Sequence, residues 1–356
     1  MITHYTAIVA ITSFAMLTML AAAQCNIFLR QSKRIRFQLL FVSLMLANVL
    51  EYISATVMGD PAFRTLFIAT KAAELTISPV IPFLAAAAVG SQKGFKTMLI
   101  PIGLNVALQV LSLFTGVVFR VDEAGQYQRG SMYFIYVALF AWGFVLLILH
   151  CIELCRQYQN ANLPLLIMIL VLVLFAIILQ LFVSYLRLDW VCISISAILY
   201  YVYYEQLIQQ TDGLTQLLNR RSFDCKMENL KKPAAILFFD VDKFKMINDT
   251  YGHMFGDECL QKTSESIKRI FGKLGSCYRF GGDEFCVVLT ENLYNTEALI
   301  EQFRAEIRDC QSVDTSHPGV SVGYEMFDPA KDLIADVITR ADKRMYLSKS
   351  KHGQSD

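Results

Sequence analysis

The stretch Tyr278-Arg279-Phe280-Gly281-Gly282-Asp283-Glu284-Phe285-Cys286-Val287-Val288-Leu289 decides the fold of the C-terminal part of the chain. Two short apolar runs flank paired glycines and paired carboxylates. That pattern predicts a β-hairpin whose glycines supply the positive φ angles of a type I′ or II′ turn. Adjacent carboxylates at such a tip repel one another, so a cation or a proton transfer accounts for them better than packing does. Upstream, Ala234-Ala235-Ile236-Leu237-Phe238-Phe239-Asp240-Val241-Asp242 reads as a buried-type strand that ends in acid. Two strands with acidic ends are suited to holding divalent metal against the phosphates of a nucleotide.

Further motifs stand in order around these two. Asp212-Gly213-Leu214-Thr215 opens the segment, and Asp240-Val241-Asp242-Lys243-Phe244-Lys245 is followed by Asn248-Asp249 and by Gly256-Asp257. Gly281-Gly282-Asp283-Glu284-Phe285 resembles the signature of GGDEF-domain diguanylate cyclases, and the other motifs resemble those of that family in the same register over about 145 residues. The resemblance covers the C-terminal part only. It implies a nucleotide-cyclase-like (ferredoxin-like) α+β GGDEF domain that condenses two GTP into cyclic di-GMP and two pyrophosphate. Two Mg²⁺ per site, replaceable by Mn²⁺, would assist. One GTP per domain makes the working form a homodimer.

Carried over residue by residue, the resemblance gives Asp240 and Glu284 as metal ligands together with the Val241 carbonyl. Asp283 becomes a further ligand or the base that takes the hydroxyl proton. Asn248 and Asp257 would read guanine; Lys243, Phe244 and Lys245 would meet phosphate through backbone donors, and Lys349 through its ammonium. Arg279, beside the hairpin, reaches phosphate or a neighbouring acid. Two departures stand out. The family's product-inhibition motif, Arg-x-x-Asp, falls here on Gly272-Lys273-Leu274-Gly275, so no feedback of that kind is expected. The Gly-Arg-Asn that often ends the family's last helix is replaced by Gly353-Gln354-Ser355.

The chain as a whole has 356 residues, of which 55% are hydrophobic and only 18% charged. This is too apolar for one soluble domain and indicates a membrane protein. Net charge is +1, and no nucleic acid is expected as a partner. Charge is sparse before residue 210 and dense after it, which places a boundary near Thr211-Asp212: a transmembrane sensory or anchor domain over 1–210 and a catalytic domain over 211–356. The nine cysteines contain no C-x-x-C pair and read as reduced, structural thiols.

Seven apolar segments are each long enough to cross a hydrocarbon layer of ~30 Å as a helix: Ala7–Leu29, Phe37–Met58, Leu66–Val89, Thr97–Phe119, Met132–Ile152, Pro164–Leu186 and Trp190–Gln209. Arg30, Lys33, Arg34 and Arg36, then Lys93 and Lys96, then Arg156 enrich the odd loops in positive charge, while the even loops are balanced. The positive-inside rule therefore puts the N-terminus outside and the C-terminal domain in the cytoplasm, at a bacterial inner membrane. Within the spans, Lys71 and Glu74 share a helix face and can pair; with Glu51 they either fix helix packing or bind an unknown ligand. Pro79 and Pro82 would disturb the third helix. A rival function is a membrane receptor whose domain binds GTP without catalysis; a third is a transporter with a cyclase-like regulator.

In the C-terminal part the pattern predicts helices over 219–230, 256–271, 296–310 and 333–350, strands over 234–241 and 319–326, and the hairpin over 277–289. That order implies helices on one face of a largely antiparallel sheet.

Overall fold

The computed structural model describes residues 2–90, 92–158, 166–173, 175, 188–313 and 318–352. It divides into two compact units, Met1–Gln206 and Leu207–Asp356.

The N-terminal unit is helical: α1 (Ile2–Cys25), α2 (Gln31–Val57), α3 (Arg64–Ile77), α4 (Val80–Val89), α5 (Gln92–Thr115), α6 (Tyr133–Tyr158) and α7 (Asp189–Gln209). Among the described residues six helical stretches are long and apolar enough to cross a membrane, α3 and α4 counting as one. The expected span Pro164–Leu186 lies largely outside the described residues; 166–173 and 175 within it are helical.

The third span breaks at Pro79, which has no N–H for the Leu75 carbonyl. Asn105 of α5 repairs the break by donating to the Leu75 and Thr76 carbonyls at 3.2 and 3.0 Å. Lys71 and Glu74 pair at 2.8 Å, as their spacing requires. Glu51 accepts from the Tyr5 hydroxyl at 3.0 Å, and Asn48 donates to the Val9 carbonyl. The α5 helix stops at Thr115, short of the expected Phe119, because Gly116 takes φ +67° and turns the chain. Residues 119–121 and 127–129 then form a small hairpin, β1 (Phe119–Val121) and β2 (Tyr127–Arg129), that charge balance alone did not reveal.

The C-terminal unit is built on β3 (Leu218–Asn219), β4 (Ala234–Val241), β5 (Gly275–Arg279), β6 (Glu284–Leu289) and β7 (Val320–Phe327). They lie in the order β3-β5-β6-β4-β7; β3 and β5 are parallel and the remaining pairs antiparallel. The helices are α8 (Arg220–Glu228), α9 (Phe244–Tyr251), α10 (His253–Phe271), α11 (Thr296–Val313) and α12 (Ile334–His352).

The helices do not keep to one face, as the element order had implied. Alternate residues of β4 enter two separate cores. Ala235, Leu237, Phe239 and Val241 pack with Leu260, Ile267, Phe271, Phe303 and Ile307 of α10 and α11. Ala234, Ile236 and Phe238 pack with Phe223, Met227, Val337, Ala341 and Met345 of α8 and α12. Every residue of β4 is buried, which is why its sequence is a continuous apolar run rather than an alternating one. Phe239 meets Phe271 and Phe303 edge-on at 5.6 and 5.1 Å, and burying each such ring contributes about 1.5–3 kcal/mol. The α12 helix lies tight against β7: a Cβ on Gly323 would come within 2.0 Å of the Met345 backbone nitrogen. That contact fixes the height of Lys349, one turn further along α12.

Candidate active site

Asp240 near the end of β4 is paired in register with Glu284 at the start of β6. Directly opposed residues of an antiparallel pair project to the same face. Here it is the face covered by α8 and α12, since Phe238 and Cys286 two residues on belong to that core. Asp240 is 7% exposed, and its Oδ1 accepts from Lys349 Nζ at 2.6 Å. Burial, then the charges of Asp283 and Asp242, push the Asp240 carboxyl above its usual range in spite of the ammonium. Glu284 is likewise pushed up by burial and by Asp240, Asp283 and Asp342. Burial works against the charge on Lys349, but the Asp240 hydrogen bond and the surrounding acids raise it overall. The site is thus an excess of carboxylate around one cation.

The loop between β5 and β6 does not use its glycines as expected. Neither Gly281 nor Gly282 has a positive φ; the Phe280 and Gly281 N–H groups both donate to the Glu284 carbonyl, at 2.8 and 3.2 Å. A Cβ on Gly281 would lie 2.7 Å from Glu284 Oε2, so a side chain there would move that carboxylate. The Asp283 carbonyl accepts from the Val241 N–H at 3.2 Å, tying the loop to the end of β4. Arg279 takes the acid of its two options: Nη1 donates to Asp212 Oδ1 at 3.0 Å, while Nε and Nη2 hold the Gly282 carbonyl at 3.2 and 2.7 Å. Although burial opposes it, the Thr215 amide and hydroxyl and the Arg279 guanidinium hold Asp212 below the usual carboxylate range. The opening motif is thereby clamped to the glycine loop.

Across the end of β4, Lys243 takes φ +55°, ψ +28°, a left-handed conformation that costs a non-glycine residue about 1 kcal/mol. It turns the chain straight into α9, whose N-terminus has no side-chain cap. The first amides of that helix, at Phe244 and Lys245, have no side-chain cap, and the positive end of the helix dipole lies behind them. This two-turn helix was hidden in sequence by Asn248-Asp249 and Gly252, which favour turns. Asn248 of α9 and Asp257 of α10 come to the same helix junction, where Gly256 is buried and a Cβ on it would lie 2.0 Å from Asn248 Oδ1. Asp257 is exposed. Asp242 was not singled out from the sequence; it accepts from the Ser321 hydroxyl at 2.6 Å and so closes β7 onto the site. At the departed inhibition motif, a Cβ on Gly275 would lie 2.2 Å from the Val288 carbonyl.

Hard carboxylate oxygens on one face, destabilised by mutual repulsion and met by an ammonium at 2.6 Å, fit a divalent cation that prefers oxygen donors. Among the described residues no three His, Cys, Asp or Glu side chains converge tightly enough to make a metal site by themselves. The side chains placed to share a cation are the register pair Asp240 and Glu284, with Lys349 now bonded to Asp240.

Facing strand-end carboxylates beside an uncapped helix N-terminus are the arrangement that divalent metal and phosphate oxygens suit. Residues 209–355 match the family described as "Diguanylate cyclase, GGDEF domain". The chain is 35% identical over 150 residues to the diguanylate cyclase DosC of Escherichia coli (strain K12), covering 39% of this chain and 32% of that one. It is 33% identical over 157 residues to a diguanylate cyclase of Vibrio cholerae, covering 41% and 49%. The chain therefore spans half or less of these curated relatives. A solved structure of the coiled coil and GGDEF domain of DgcB from Caulobacter crescentus aligns at 26% identity and a TM-score of 0.42, over 46% of this chain and 93% of that one.

Proposed function

We propose that the chain is a membrane-anchored diguanylate cyclase whose residues 1–210 form a seven-span input domain and whose residues 211–356 condense two GTP in the cytoplasm. The observation that carries the reading is the register pair Asp240 and Glu284, two carboxylates on one face of the sheet, both pushed up by burial and by neighbouring acids.

A bound divalent ion, Mg²⁺ or Mn²⁺, would supply charge neutralisation at the α-phosphate and at the leaving pyrophosphate. Asp240, Glu284 and the Val241 carbonyl would hold it. The amides around Lys243, Phe244 and Lys245 orient the phosphate tail, and the Lys349 ammonium neutralises it. Asn248 and Asp257 read guanine, an amide and a carboxylate matching its acceptor and donor edges. Asp283 accepts the 3′-hydroxyl proton as that oxygen attacks the other nucleotide's α-phosphate. Arg279 serves as a positioning residue for the loop. Since one domain holds one GTP, the reaction needs a second copy facing it, and holding the nucleotides in line supplies much of the rate. The chain passes from one unit to the next within α7, which gives input a physical route.

Full-length protein in lipid, given GTP and magnesium, should release cyclic di-GMP and pyrophosphate in a ratio of about one to two, as the bond count of the condensation requires. GTP bound and recovered unchanged would instead establish the receptor reading.

A further inference from the structure

The N-terminal unit contains a cavity of about 690 Å³ beside the β1–β2 hairpin. That volume lies within the range of small-molecule sites. One wall follows α6 from Tyr133 through Tyr136, Phe140 and Phe144 to Ile148, about 22 Å of helix at 1.5 Å per residue. Its polarity is one-sided. At the Tyr133 end, Lys71 lies over the Tyr127 ring at 5.4 Å, Arg129 lies over the Tyr133 ring at 4.9 Å, and the Ser78 and Tyr136 hydroxyls meet at 3.0 Å. Toward Ile148 the lining is Phe140, Phe144, Leu170 and Val173, with no polar side chain among them.

The charges at the polar end do not all cancel locally. Glu74 neutralises Lys71 at 2.8 Å, and Asp189 stands in the first turn of α7, where the helix dipole favours an acid. Among the described residues no carboxylate is paired with Arg129; an aromatic face is its contact. A long apolar slot with a guanidinium at its mouth is complementary to one kind of small molecule. We propose that this cavity binds an amphipathic anion, a single negative head on one unbranched apolar chain. Arg129 holds the head and the α6 wall holds the chain. Such a head and chain reach the slot as a free fatty acid, or as the head and one inserted chain of an anionic lipid of the surrounding bilayer. The proposal deepens the input role assigned above to residues 1–210 and rests on it.

The chain has two tryptophans: Trp190 lines the cavity, and Trp142 on α6 is 51% exposed. In full-length Trp142→Phe protein in phosphatidylcholine nanodiscs, a chain-brominated dodecanoic acid should quench Trp190 saturably. Arg129→Ala should weaken that binding about tenfold or more, the worth of a charge-assisted hydrogen bond, and Arg129→Lys should retain most of it. A brominated alkyltrimethylammonium of the same chain length should show no saturable quenching. If phosphatidylglycerol in the nanodisc competes with the acid, shifting half-maximal quenching to higher acid concentration, the bilayer is the source of the ligand; if it has no effect, a free acid is. Equal quenching by acid and ammonium, indifference to Arg129→Ala, or no saturable quenching in phosphatidylcholine would each overturn the proposal. Because the readout is fluorescence and not product, its failure is distinguishable from failure of the cyclase reading.

Discussion

Replacing Glu284 by Gln should make the C-terminal unit more stable near neutral pH when no metal is bound. Cross-strand partners place Asp240 and Glu284 about 5 Å apart at Cβ. At that separation and an effective dielectric near 20, two like charges repel by about 3 kcal/mol. Lys349 offsets part of this, and Glu284 is only partly buried, so solvent screening reduces the net gain to roughly 1 kcal/mol. For a unit of this size that raises the unfolding midpoint by about 3 °C.

The pH dependence has a definite sign. Both carboxyls are raised in the folded protein. Their contribution to stability is fully present below the unfolded values, near 3.9 and 4.3, and is lost as pH rises through the higher folded values. Wild type should therefore lose stability from about pH 4 upward relative to Glu284→Gln. Magnesium should restore it in wild type and not in the variant. Thermal unfolding of both proteins across that range, with and without magnesium, is the assay. A metal-free variant that is less stable than wild type at pH 7, or that keeps the same pH slope, would refute the reasoning.

Three further outcomes are expected. Arg279→Ala frees both Asp212 and the Gly282 carbonyl; loss of hydrogen bonds to a charged group costs about 1.5–3 kcal/mol, and steady-state kinetics should show turnover reduced at least tenfold while GTP affinity, read by equilibrium binding, changes little. Gly256→Ala drives a methyl into Asn248 Oδ1, so the GTP concentration for half-maximal rate should rise, with overpacking of about 1–3 kcal/mol visible in urea unfolding. Asn105→Leu leaves the Leu75 and Thr76 carbonyls without their donor in an apolar surrounding; detergent-solubilised protein should lose about 1–3 kcal/mol against thermal unfolding, whereas Gln109→Leu, one turn on, should lose less.

Much of this was legible in the chain because strand-end acids and buried runs leave direct signatures. The continuous apolar stretch 234–239 gave β4 at its observed bounds. The apolar runs flanking Gly281 and Gly282 gave the hairpin, and the spacing of Lys71 and Glu74 gave their ion pair. What stayed hidden depends on contacts distant in sequence. Nothing local says that α8 and α12 cover the face of the sheet opposite α10 and α11, although the non-alternating β4 was compatible with burial on both sides. The glycines of the loop were expected to supply positive φ angles, and neither does; Gly281 instead lies against the Glu284 carboxylate. Lys243 in a left-handed turn and the short α9 behind it carry no propensity signal. The pairing of Lys349 with Asp240 spans 109 residues, and the choice of Arg279 for Asp212 spans 67.

The most direct test is turnover by full-length protein in lipid, comparing wild type with Asp240→Ala and Glu284→Ala at saturating GTP and magnesium. The account predicts cyclic di-GMP from wild type and a loss of at least a hundredfold in each variant, the scale on which removal of a principal charge-stabilising group acts, with each variant still folded by circular dichroism. Undiminished product from either variant would contradict it.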